Sequence, residues 1–137
     1  MRDLALYAHI LLGLAVIVLS VWILFELNKK SSKMVRPLAA VTALASWLLL
    51  IPAGYFYILF YPATKTLIKA GAWPWAHAIF METKEHWGIF LPVIVTVAAW
   101  LVYTNRAEAS RKWWKLAIIV AILIAVMGRI VVMGATA

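Results

Sequence analysis

Four apolar runs, separated by short polar stretches, divide the chain. The first, Leu4 to Leu27, is long enough as a helix to cross the roughly 30 Å hydrocarbon layer of a bilayer. No small-residue cleavage site follows it, so it reads as a retained helix rather than a signal peptide. The second covers residues 38–60 and contains Pro52, whose ring and missing N–H free the carbonyl of Leu48 and predict a kink. The third runs from His86 to Tyr103 around Pro92, and the fourth covers residues 116–136.

The connections are unequal in charge. Asn28 to Pro37 carries Lys29, Lys30, Lys33 and Arg36, and Thr104 to Lys115 carries Arg106, Arg111, Lys112 and Lys115. Between spans two and three, Lys65, Lys69 and Lys84 are offset by Glu82 and Glu85. This middle stretch follows an aromatic belt, Tyr55 to Tyr61, and Pro74 within it marks a helix start. By the positive-inside rule both basic loops face the cytoplasm and both termini lie outside. The pattern predicts an all-α integral protein of the cytoplasmic membrane. Residues 1–137 would form one domain, an up-down-up-down four-helix bundle with an interfacial segment between helices two and three.

Composition agrees with this reading. Of 137 residues, 66% are hydrophobic and 13% charged, and the mean hydropathy of +0.96 is outside the range of soluble domains. The net charge of +8 sits in the loops, where it meets lipid head groups rather than nucleic acid. With no cysteine, disulfides, thiolate metal sites and covalent haem attachment are excluded. Any cofactor depends on His, Met, carboxylate or packing.

The alternating topology sets depth. His9 lies about 7–8 Å inside the outer end of the first span, and Arg129 lies within about 10 Å of the same surface on the fourth. His86 opens the third span, and Tyr55 and Tyr57 close the second. All four spans thus place polar residues in the outer half, where ionisable groups are costly and usually face the bundle interior. Taken singly they have ordinary explanations: Arg129 reaching the head groups, His9 packing through a hydrogen bond, His77 and His86 sitting at an interface. On a continuous helix His77, Met81 and Glu85 share one side, Glu82 and His86 another, and His77 and His86 point about 180° apart. Depth favours His86 as the histidine that faces the bundle.

Three functions are compatible with these residues. A b-type haem between His9 and His86 would use the diagonal of the bundle, with Gly13 and Gly88 near the ring and Arg129, Lys65, Lys69 or a tyrosine such as Tyr55 at the propionates. A copper-like metal site would use His77, Met81 and Glu85, and a zinc or iron site Glu82, His86 and His9. A noncatalytic anchoring subunit would use the tryptophans and the Pro62 to Glu85 segment to dock on lipid or another subunit. No nucleophile–base pair, phosphate-binding glycine loop or paired carboxylate marks a self-contained catalytic site.

HILLG at His9 to Gly13 and EHWG at Glu85 to Gly88, with the helix plan, resemble the small four-helix membrane b-type cytochromes. The resemblance implies axial ligation of haem b by His9 and His86. It also implies electron transfer near the outer face, with quinol or an extracytoplasmic cytochrome subunit as partner. Many such proteins stack two haems, whereas the inner half of this chain holds no histidine.

Overall fold

The computed structural model describes all 137 residues. It is helical throughout: α1 (Arg2–Glu26), α2 (Val35–Leu48), α3 (Leu50–Leu59), α4 (Tyr61–Ala70), a π-helical segment (Ala76–Met81), α5 (Glu82–Tyr103) and α6 (Ala107–Gly134). Four stretches are long and apolar enough to cross a membrane: Arg2–Glu26, Val35–Leu59, Ala76–Tyr103 and Ala107–Gly134. The surface they present is apolar, with Leu11, Val18, Phe25, Ile58, Ile89 and Ile119 exposed, as expected where lipid is the solvent.

α1 packs against α2 and α6, and α5 packs against the same two helices, so α1 and α5 stand across the diagonal. The seam is built from small residues, among them Ala39, Ala98, Ala117, Ser20 and Ser46, around Val16, Ile23, Val95 and Val120. Small residues let helix backbones approach closely where lipid supplies no hydrophobic drive for association. On the exposed side of the α2–α5 contact, Trp47 Nε1 donates to Thr96 Oγ1 at 2.9 Å, and that hydroxyl donates to the Pro92 carbonyl at 2.7 Å.

The two basic connections meet at one end. Arg36 donates to Asn105 Oδ1 at 2.7 Å, the Tyr103 hydroxyl donates to the Arg36 carbonyl, and Arg111 donates to Asn28 Oδ1 at 2.9 Å. Asn105 has a φ of 62°, the left-handed conformation asparagine tolerates after a helix. The N–H of Arg106 bonds to the Leu101 carbonyl and that of Asn105 to the Val102 carbonyl, which closes α5 and frees the chain to reverse into α6.

The interruption predicted at Pro52 is present, and two boundaries differ from the sequence expectation. The α-helical bonding is interrupted at Leu49, between α2 and α3, because Pro52 has no N–H to offer the preceding turn. α6 begins at Ala107, so the second basic loop is only residues 104–106 and Trp114 is a fully buried helical residue rather than an interfacial one. The third span starts at Ala76 rather than His86, so residues 76–85 continue that helix.

The opposite end is closed by Gly134, where an added Cβ would lie 2.8 Å from the Ala76 Cβ, whereas Gly13 and Gly54 face open space. Gly134→Leu is therefore expected to lower stability by about 1–3 kcal/mol. Gly54→Ala should be neutral or slightly stabilising, since alanine is the better helix former. Thermal unfolding of the two variants in detergent checks the contrast.

Candidate functional site

At the end opposite the basic connections, five elements bring polar side chains together. α4 starts at Tyr61 with Pro62 in its first turn and ends at Gly71, whose backbone is extended. The chain re-enters helix through the π-helical segment, whose i→i+5 bonding winds more widely than an α-helix. His77 sits in that segment and is 6% exposed. The Tyr61 hydroxyl lies 2.7 Å from His77 Nδ1. Burial, and after it the charge of Glu85, pushes the Tyr61 phenol well above its ordinary value. It therefore stays protonated at neutral pH and donates to Nδ1, leaving His77 Nε2 to carry the proton that faces Glu82 Oε1 at 3.7 Å. Tyr57 stacks on Tyr61 with ring centroids 5.4 Å apart.

A second group adjoins this relay. Lys84 runs along α6 at Gly128, where an added Cβ would lie 3.3 Å from the lysine Cε. Its charge reaches both His9 on α1 and the neighbouring Glu85. Glu85 lies beside Tyr57 and Tyr61. Two atoms of this group are buried and have no hydrogen-bond partner, His9 Nδ1 and Glu85 Oε1. A third such atom, Ser20 Oγ, is three turns along α1 and separate from them. Buried polar atoms are nearly always satisfied, because leaving one unpaired costs about 1–3 kcal/mol.

The structure reverses the expected roles of the histidines. His77 faces inward, while His86 is exposed with Nδ1 2.7 Å from the Glu82 carbonyl. The reason is register. The inward stripe of α5 runs through Val102, Ala98, Val95 and Leu91, and the same four-three spacing carried back reaches Gly88, Lys84, Met81 and His77. His86 falls between those positions, on the far side. Extending that heptad backwards would have found both His77 and Lys84 from the sequence, where Lys84 had counted only as a loop cation.

The other expected site residues separate. Arg129 is exposed and makes no side-chain hydrogen bond or ion pair, and Tyr55 is exposed with its ring edge against Phe60. Gly13 and Gly88 open onto empty space, and neither marks a close approach. Met81 is buried on the His77 side, but both ring nitrogens of His77 already face Tyr61 and Glu82, so His77, Met81 and Glu85 do not converge as copper ligands. No three His, Asp or Glu side chains are grouped to hold a metal ion, which includes Glu82, His86 and His9. His9 and His86 do not face a common interior, so the chain by itself does not fit a haem with that axial pair.

Comparison of the chain with family models, curated proteins and solved structures found no match.

Proposed function

We propose that this chain is a multi-pass subunit of a redox complex in the cytoplasmic membrane, and that its polar cluster binds the head group of quinol in the outer half of the bilayer. The basic connections set the orientation, with both termini outside. The observation that carries the reading is the pair of buried, unpartnered atoms, His9 Nδ1 and Glu85 Oε1, flanking Lys84. A carboxylate accepts from a quinol hydroxyl, an imidazole nitrogen either accepts or donates, and an ammonium donates to a quinone carbonyl. The set therefore answers both redox forms of one ligand, whose apolar tail stays in lipid. The Tyr61–His77–Glu82 chain beside it offers a route for a released proton towards the exposed Glu82. Titration with a short-tailed quinol, read by tryptophan fluorescence, is expected to saturate at one ligand per chain. An absence of saturable binding would leave the anchoring role.

A second reading rests on His86. Its Nδ1 at the Glu82 carbonyl leaves Nε2 free and directed outward, the arrangement in which metal-ligating histidines are usually held. His86 would then hold a b-type haem, which supplies one-electron transfer when bound, together with a residue of a neighbouring redox subunit. A reduced-minus-oxidised spectrum of the complex is expected to show a low-spin b-type haem that His86→Ala removes and His9→Ala keeps. A spectrum lost in His9→Ala instead would return the iron to the bundle interior and contradict this placement.

A further inference from the structure

At the end of the bundle that carries the basic connections, a cavity of about 410 Å³ opens between the loop that follows α1 and the loop that follows α5. Its lining is dominated by polar and charged residues. Two carboxylates lie in its wall, and both are already satisfied. Glu26 accepts from Trp22 Nε1 at 3.1 Å and from Lys29 Nζ at 2.6 Å on one oxygen, and from the Ser32 hydroxyl on the other. Glu108 is held by Arg111 at 2.7 Å. Three further cations line the cavity without any carboxylate partner: Lys30, Lys33 and Arg36.

The backbone adds to this charge. Val35 and Ala107, the first residues of α2 and α6, both line the cavity, so two helices of 14 and 28 residues begin at its wall. Neither start has a side-chain cap: Met34 and Arg106 occupy the capping positions, and neither side chain bonds to the first turn. The first-turn N–H groups have no partner within their own helix and carry the positive end of the helix dipole. The Arg36 guanidinium gives one bond to Asn105 Oδ1 and lies over the Tyr103 ring, 5.8 Å from its centre, which leaves its other donors free. Unpaired cations, a hydroxyl on Ser31 and two uncapped helix starts around one cavity describe a receptor for an oxyanion.

We propose that this cavity is a head-group site for an anionic phospholipid, its phosphate held by Lys30, Lys33 and Arg36 where α2 and α6 begin. The lipid source follows from position. The cavity lies where two pairs of apolar spans end, which is the level that lipid head groups occupy around a spanning bundle. This proposal is independent of the quinol reading, whose residues His9, Lys84 and Glu85 lie at the other end of the bundle.

The test is native mass spectrometry of the intact protein released from micelles containing phosphatidylglycerol or phosphatidylcholine. Lys30 and Lys33 form no hydrogen bond or ion pair, so Lys30→Gln/Lys33→Gln leaves the fold intact, which its unchanged melting temperature in neutral detergent verifies. The wild type is expected to retain one phosphatidylglycerol per chain in preference to phosphatidylcholine. The double variant should bind it about 25-fold more weakly, at roughly fivefold per basic side chain at a membrane surface. Lys65→Gln/Lys69→Gln, which removes the same charge from the opposite end, should bind as the wild type does. Equal retention of the two lipids, full affinity in Lys30→Gln/Lys33→Gln, or equal loss in Lys65→Gln/Lys69→Gln would overturn the site. Binding of inorganic phosphate with no preference for phosphatidylglycerol would assign the cavity to a soluble anion and overturn the lipid.

Discussion

Trp114→Ala is expected to destabilise the bundle by about 3–5 kcal/mol, the range for removing a fully buried aromatic side chain. Trp114 has no exposed surface, and its Nε1 donates to Ser110 Oγ at 3.1 Å, which itself donates to the Ala107 carbonyl. The loss is therefore a cavity among α1, α5 and α6 together with a broken link in the first turns of α6. In a bilayer the packing part of that cost persists, because lipid cannot fill a void inside the bundle. Trp114→Phe should recover most of the loss, and Trp100→Ala, on an exposed position, should cost little. Equilibrium unfolding in mixed micelles separates them, and equal effects of Trp114→Ala and Trp100→Ala would show that Trp114 is not a core residue.

The second large effect is on ligand affinity. His9→Ala and Glu85→Gln should each weaken quinol binding about 10- to 100-fold, the span for losing one hydrogen bond that involves a charged group. Gln keeps the shape of Glu85 and removes its charge, so a loss there reports the carboxylate rather than a packing defect. His86→Ala and Arg129→Gln should bind as the wild type does, since both side chains point away from the cluster. Binding that survives in Glu85→Gln and fails in Arg129→Gln would place the ligand on the other face of α6.

Much of the fold was legible from periodicity and charge. The four apolar runs, the diagonal relation of the first and third spans and the gathering of polar groups at one end all follow from hydropathy and loop charge. The boundaries were less legible, because amphipathic turns such as Ala107 to Lys115 and Ala76 to Glu85 read as polar loop when their apolar face is narrow. The orientation of His77 and His86 was the largest miss. Depth pointed to His86, the histidine nearer the middle of the span, whereas the register of the inward stripe through Leu91, Val95 and Ala98 decides the face and puts His77 on it. Lys84 was missed for a related reason, because charge marked it as surface while its heptad position marked it as interior. His9 was singled out by depth and Glu85 by helix face, and both carry a buried, unpartnered atom, as Ser20 does further along α1.

The most direct test of the proposed site is photolabelling of the membrane-embedded protein with an azidoquinone, followed by peptide mapping. The account predicts light-dependent label on α1 around His9 and on α5 around Glu85, displaced by unlabelled quinol and lost in Glu85→Gln. Label that falls instead on the apolar groove of Trp87, Phe90 and Leu116, or that quinol fails to displace, would contradict it.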